Sequence, residues 1–321
     1  MIELHCHLDG SITLDIAKKI AKLQGIKLPS ENDEELEKLL SVPPTCESLT
    51  DFLKCFELPL SLLKTPEGLK EACNLILKKK AEEGVKYIEL RFAPQLHSSG
   101  GFTQEDVVLS ALEGIKNCDE VYNIHCNLIL CCMRGEKTHE ANMETVLLAG
   151  KYLVEDGGVV ALDLAGAEAL FKTRDYWMEF EKARKLGIPF TIHAGEADGW
   201  ESVKCALDFG AKRIGHGVRI EENSEVLKYV IDHKIPLEMC PNSNRQTKAV
   251  PDMKKYPFRK YLEEGVRVTV NTDDPAICRT TLNQEFEYLS LNQDEKRKVL
   301  KNAVEAAFTS RDVKDSLMKN L

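Results

Sequence analysis

The stretch Glu3-Leu-His-Cys-His-Leu-Asp-Gly-Ser11 puts two imidazoles two residues apart, with a carboxylate two further on. On a strand, successive side chains point to opposite faces, so His5 and His7 share a face and Cys6 takes the other. Taken alone, such a pair is weak, because strand histidines are often just buried and hydrogen-bonded. A third imidazole at His193 and a carboxylate at Asp273 change the reading. Three imidazoles and one carboxylate form a shell for a borderline divalent cation, with a position left for water as in a catalytic zinc site. Glu196 follows His193 by three residues and suits a proton donor or acceptor; without a metal nearby it would read as a solvated loop acid. His216 lies between Gly215 and Gly217, where the chain can bend and its backbone approach a ligand. His97, His125, His139 and His233 fall outside the pattern and read as structural or surface residues.

These residues need a frame that brings distant segments together. Short β-branched or apolar runs recur at Ile2–Cys6, Tyr87–Phe92, Ile124–Cys131, Val159–Leu164, Pro189–His193, Arg213–His216, Pro236–Met239 and Val266–Asn271. Helical patterns alternate with them, including Tyr176–Leu186, Ser202–Phe209 and Glu222–His233. Thr65-Pro66 reads as an N-cap with proline at the first helical position, and Thr103-Gln-Glu-Asp106 as a capping box. Strands alternating with helices imply parallel βα units, and eight of them fit an α/β fold of the (β/α)8 TIM-barrel type. An open doubly wound sheet would carry a glycine-rich phosphate turn after its first strand; here that place holds His-Leu-Asp-Gly. In a barrel, chemistry sits at the C-terminal strand ends. The runs end there in His5-Cys-His7, Asp163-Leu-Ala-Gly166, His193-Ala-Gly-Glu196, Gly215-His-Gly217, Cys240-Pro-Asn-Ser-Asn244 and Asn271-Thr-Asp-Asp-Pro275. Residues 11–84, after the first strand, are too many for a simple crossover and are expected to carry a helical lid over the barrel mouth. The whole chain, 1–321, is expected to be one domain.

Composition narrows the function classes. The chain has 321 residues, 43% of them hydrophobic, and a formal charge of −9 spread along its length, which reads as solvated helix faces. A nucleic-acid partner would favour a basic stripe, and none is present. No apolar run approaches a membrane span, and the start lacks the blocks of a secretory signal. Eleven cysteines, several within apolar runs such as Leu128-Ile-Leu-Cys-Cys132, read as reduced, buried thiols of a cytoplasmic protein. Oligomeric state is not legible.

The ordered set His5-Cys-His-Leu-Asp-Gly, Asp163-Leu-Ala-Gly, His193-Ala-Gly-Glu, Gly215-His-Gly and Asn271-Thr-Asp-Asp-Pro resembles the adenosine deaminase family of the amidohydrolase superfamily. Asp51-Phe-Leu-Lys-Cys-Phe56 resembles that family's apolar lid, and Cys131-Cys-Met-Arg134 another of its segments. The resemblance implies one zinc ion per chain, held by His5, His7, His193 and Asp273. It implies attack of zinc-bound water on C6 of adenosine or 2′-deoxyadenosine, giving inosine or deoxyinosine and ammonia. Glu196 would protonate N1, His216 would orient the attacking oxygen, and Asp273 would help take its proton. Asp274 would meet N7, the Gly166 N–H would meet N3, Asp9 would bind the 5′-hydroxyl, and Phe52, Leu53 and Phe56 would line the apolar wall. His7 would lie against the substrate as well as the metal. Ala167 stands where many of the family carry an acid, and Cys6 where an apolar residue is commoner.

The alternative is a sister deaminase of free adenine or another purine derivative. Such relatives usually carry Glu where this chain has Asp9, and do not need a ribose contact. A nucleotide substrate would call for a basic cluster at the mouth, and none is identifiable. Strand four ends without the lysine that would bridge two metals. A binding protein that had abandoned catalysis should have lost a ligand or the acid, and all are retained.

Overall fold

The runs of β-branched and apolar residues form eight parallel strands in the computed structural model, which describes residues 1–43 and 45–321. They are β1 (Ile2–His7), β2 (Tyr87–Phe92), β3 (His125–Arg134), β4 (Val159–Gly166), β5 (Thr191–Ala194), β6 (Arg213–His216), β7 (Pro236–Met239) and β8 (Arg267–Val270). Neighbours pair in chain order, β1 to β4 in one sheet and β5 to β8 in a second. Two seams join the sheets. His7 N–H donates to Asp273 O at 2.8 Å and Asp273 N–H to His5 O at 3.0 Å, while Leu162 N–H donates to Pro189 O at 3.0 Å. The ring is therefore the expected (β/α)8 barrel. Strand limits shift slightly from the sequence reading: β3 runs on to Arg134 because its ladder with β4 continues to the Arg134–Gly166 pair.

Alternation along the strands sorts the side chains into two cores. Leu90, Leu128, Leu162, Ile192, Ile214, Leu237 and Val268 join the apolar layer beneath the surrounding helices. The opposite faces bury Glu3, His5, Glu89, Arg91, Asp163, His193, Arg213 and Glu238 inside the barrel. Arg91 pairs with Asp163 at 3.0 Å and Glu238 at 2.9 Å, and Arg213 pairs with Glu238 at 2.6 Å and with Glu89. Unpaired, each such charge would cost several kcal/mol of desolvation, so the interior must be read as one connected network.

Local signals set the helices. Thr65 accepts from Gly68 N–H and Pro66 begins the helix Pro66–Glu82. Thr103 and Asp106 cap each other's backbone ahead of the helix Gln104–Ile115. The amphipathic helices Gln293–Ala306 and Arg311–Lys319 lie under the N-terminal end of the barrel, where Val304, Ala307 and Leu317 pack against Ile2, Leu4 and Tyr87. That leaves the C-terminal mouth as the end where a site can open.

Between β1 and β2 the chain makes helices Leu14–Gln24, Asp33–Leu39, Leu49–Phe52 and Glu57–Leu62 before the one that starts at Pro66, with 3-10 turns at Asp9–Ser11 and Leu53–Phe56. The expected insertion, 11–84, includes position 44, which lies outside the described residues. Phe52 and Cys55 pack against Ile277 and Cys278 beyond β8, and Val42 N–H donates to Ile277 O at 3.0 Å. This segment thus leans on the end of β8. Among the described residues the eleven cysteines are all free, ten of them buried, and no helix is long and apolar enough to cross a membrane.

Candidate active site

Residues from the C-terminal strand ends converge on one cavity, lined by His7, Asp9, Gly166, His193, Glu196, His216, Asp273 and Asp274. Phe52, Leu53 and Phe56 supply an apolar wall, joined by Leu96 and Met133. His5 lies just beneath, fully buried. All the residues singled out from the sequence are thus brought together.

Second partners fix how the imidazoles face. His5 Nδ1 lies 2.8 Å from Glu238 Oε2, and His193 Nδ1 lies 2.9 Å from Asp163 Oδ2, so each Nδ1–H donates to a carboxylate. Their Nε2 lone pairs then point into the site. His5 Nε2 lies 3.0 Å from Asp273 Oδ1 and is buried with no hydrogen-bond partner. His7 Nε2 lies 3.3 Å from Asp273 Oδ1 and 3.2 Å from His193 Nε2. Four ligands about 2.0–2.1 Å from a tetrahedral centre stand roughly 3.3–3.4 Å apart, close to these three spacings; by proximity alone His5, His193 and Asp273 group with His216, and His7 groups with Asp273 and Asp274. The donor set of imidazole and carboxylate fits a borderline divalent cation.

His216 also approaches this cluster, with Nε2 3.8 Å from Asp273 Oδ2, and its ring nitrogen is near enough to be counted among possible ligands. Its tautomer argues otherwise. Asn244 Nδ2 donates to His216 Nδ1 at 3.0 Å, and the Asn244 amide is oriented by Tyr256 Oη donating to Oδ1 at 3.0 Å. Burial holds the imidazole well below its ordinary pKa, so it is neutral and its proton sits on Nε2. A protonated nitrogen donates and cannot ligate, which favours His7 as the fourth ligand. His216 (φ 61°) and Asp273 (φ 63°) both adopt left-handed backbone, at a cost of roughly 1–2 kcal/mol per residue. At His216 this turns the side chain inward, against the alternation of β6.

Glu196 Oε2 stands 3.6 Å from His216 Nε2, and Thr247 Oγ1 reaches Oε1 at 3.0 Å. Burial first, then the neighbouring Asp273 charge, pushes the Glu196 carboxyl up to about 8, so it is protonated at neutral pH. Burial, then Asp273, Asp9 and Glu196, likewise pushes Asp274 well above the carboxylate range. Asp273 stays ionised: although burial opposes it, His5 and the other imidazoles hold it well below its ordinary value. Asp9 is buried in the 3-10 turn after β1, where its Oδ1 accepts from Gly10 N–H at 3.2 Å. Gly166 has φ 105° and would set a Cβ 3.2 Å from Arg134 O, a place that favours glycine.

Several supporting residues were not singled out from the sequence: Glu238, Thr247 and Glu168, with Asn244 marked only as part of the polar end of the seventh strand. For Glu238 a signal existed, a charged residue inside the otherwise apolar strand Pro236–Met239. The others lie on helices and loops, and their roles depend on tertiary contacts that periodicity does not encode. His97, read as structural, is fully buried, with Nε2 3.8 Å from Asp9 Oδ2; burial pushes its pKa down to about 3. His139 pairs with Glu179 and His125 with Asp119 and Asp156, as structural roles would have it.

A closed parallel barrel with a histidine–aspartate cluster and a buried acid at its C-terminal mouth defines a hydrolase of the amidohydrolase type. The family model described as adenosine deaminase matches residues 1–321. An adenosine deaminase of Haemophilus ducreyi is 46% identical over 327 residues, covering 100% of this chain and 95% of that one. The adenine deaminase of Arthrobacter aurescens superposes with a TM-score of 0.90 at 26% identity, covering 99% of this chain and 96% of that one. An Arabidopsis ADAL structure complexed with GMP superposes at 0.85 and 25% identity, covering 99% of this chain and 95% of that one. The chain belongs to the adenosine deaminase family, whose members are metal-dependent hydrolytic deaminases.

Proposed function

We propose that this chain deaminates adenosine and 2′-deoxyadenosine at C6, using one zinc ion held by His5, His7, His193 and Asp273. The observation that carries the reading is a buried Glu196 beside that donor cluster, in a cavity walled by Phe52, Leu53 and Phe56, where burial and the Asp273 charge raise its pKa. When bound, zinc supplies Lewis acidity that brings the pKa of a coordinated water from ~15.7 to ~7. The remaining work belongs to side chains. Glu196, protonated, donates to N1 and makes C6 electrophilic, offsetting the loss of ring aromaticity that attack requires. His216 directs its Nε2–H at the attacking oxygen, and Asp273, ionised, accepts that oxygen's proton. Asp274, protonated, donates to N7, and Gly166 N–H donates to N3. Asp9 receives the ribose 5′-hydroxyl. Residues 11–84, within the single domain 1–321, act as a lid-bearing insertion whose apolar wall excludes water.

Charge favours the nucleoside over the nucleotide. The polar residues at the cavity include Asp9, Glu196, Asp273 and Asp274, and no lysine or arginine lines it among the described residues. A phosphate there would find no cationic side chain to pair with. The likeness to an adenine deaminase keeps free adenine as the second reading, and Asp9 is the residue that separates them. A spectrophotometric assay should find adenosine turned over, with adenine and AMP slower by orders of magnitude; preference for adenine would overturn the nucleoside assignment. Replacing Asp9 by Ala should then cost adenosine ~1.5–3 kcal/mol in kcat/KM, while 5′-deoxyadenosine loses little.

A further inference from the structure

Glu168 lies two residues beyond the end of β4, is only 1% exposed, and touches neither the cavity nor the metal cluster. Its carboxylate gathers five donors. Oε1 accepts from Gly195 N–H at 2.7 Å and Ser202 Oγ at 2.5 Å. Oε2 accepts from Glu196 N–H at 3.0 Å, Ala197 N–H at 2.7 Å and Asp198 N–H at 3.1 Å. Four consecutive backbone N–H groups thus wrap one side chain. They belong to the loop after β5 that carries the proton donor.

Only an ionised carboxylate suits this nest. It offers acceptors alone, whereas a protonated acid or an amide would turn a donor toward N–H groups already pointing inward. Glu168 is anchored from behind as well. Ser202 Oγ lies 2.7 Å from Thr173 Oγ1, which accepts from Arg134 Nη2 at 2.9 Å; the same Nη2 donates to His193 O at 2.7 Å. The clamp therefore connects the loop bearing Glu196 to the strand bearing His193. Arg219 Nε, donating to Glu196 O at 3.1 Å, holds the residue's other backbone group.

We infer that Glu168 is a positioning residue for the reaction: its buried carboxylate locks the backbone of residues 195–198 so that the Glu196 carboxyl meets the purine ring. The inference rests on the reading of Glu196 as the proton donor. A loop left to itself would sample many conformations, and a misplacement of ~1 Å at the reacting group can cost ~10²-fold in rate. The fixed negative charge also acts on Glu196 itself, adding to the burial and the Asp273 charge that keep that carboxyl protonated. Position is thus supplied by a residue that touches neither the cavity nor the donor cluster.

The test is a double-mutant cycle between Glu168→Gln and Glu196→Gln, with kcat, KM and bound zinc measured for each. Glu168→Gln should lower kcat by about 10²-fold, leave KM within about threefold and keep full zinc content. In the Glu196→Gln background it should cost almost nothing, because no proton donor remains to be placed. Equal losses in both backgrounds, or a fall in zinc content that tracks the loss of rate, would overturn the inference and leave Glu168 a general support of the fold. Near-normal turnover of Glu196→Gln would instead overturn the assignment of the acid. If Glu168→Gln does not fold, Ser202→Ala, which removes one of the five donors, carries the same cycle: a smaller kcat loss absent in the Glu196→Gln background supports the clamp, and a loss of equal size in both overturns it.

Discussion

The Nε2 atoms of His7 and His193 face each other at 3.2 Å across the barrel mouth, although 186 positions separate them in the chain. With His193 Nδ1–H committed to Asp163, its lone pair faces His7 and the Asp273 carboxylate nearby. Two ring nitrogens this close need a proton or a cation between them.

The metal is therefore expected to be integral. Elemental analysis of purified protein should find about one zinc per chain, and chelation should abolish turnover. His193→Ala should do the same while keeping the circular dichroism of a folded barrel, because its ring lies at the mouth and the apolar layer beneath the helices is untouched. Active protein without a transition metal would remove the donor cluster from the mechanism.

Glu196 gives both a mutational and a pH expectation. Glu196→Gln keeps the shape but has no proton to give, so kcat should fall by at least ~10²-fold with zinc retained. The sign of the pH effect follows from the raised pKa. A proton donor works in its protonated form, so activity that depends on it persists at neutral pH and is lost as pH rises through about 8. A kcat/KM profile that stays flat to well above that value would exclude Glu196 as the acid.

How much of this was legible beforehand depended on whether a residue's role is local. The eight strands were readable because each is a short apolar run bounded by turn residues, and their ends marked the site. His5, His7, His193 and Asp273 stood out because metal-binding side chains cluster at those ends. Glu238 was overlooked because a lone glutamate in Pro-Leu-Glu-Met has no partner in sequence; Arg91 and Arg213 come from strands 147 and 25 positions away. Glu168 was hidden for a related reason. Its partners are backbone N–H groups of another loop, and main-chain donors leave no trace in side-chain identity.

Glu238 is the center of the buried charge network and supports a stability prediction. It accepts from Arg91 at 2.9 Å, from Arg213 at 2.6 Å and from His5 at 2.8 Å, all out of solvent. Neutralising it as Glu238→Gln leaves two buried guanidinium groups short of a counter-charge, a loss of ~3–5 kcal/mol by analogy with other broken buried pairs. Chemical denaturation should read that loss directly. Zinc affinity should weaken as well, by ~10–100-fold, since His5 loses the carboxylate that orients it. Removing the exposed pair Lys228–Asp232 is the control and should leave both unchanged. A Glu238→Gln protein as stable as its parent would mean that the guanidinium groups find other partners.

Gly10 tests whether Asp274 must stand where it does. A Cβ built on Gly10 would lie 1.8 Å from Asp274 Oδ1, so the carboxyl occupies the space that any larger residue would need. Burial, then the charge of the neighbouring Asp273, pushes Asp274 toward its protonated form, and a protonated carboxyl is what an unprotonated ring nitrogen such as N7 requires of its partner. Gly10→Ala should displace Asp274 and lower kcat/KM for adenosine by ~10²-fold, the scale of a misplaced contact. Zinc should stay bound, because Asp273 reaches the cluster from its own backbone position. If the loss acts through Asp274, Gly10→Ala should add little in an Asp274→Ala background, where no carboxyl remains to be displaced. Full additivity would show that the methyl group disturbs the turn at Asp9–Ser11 instead, and that Asp274 tolerates being moved.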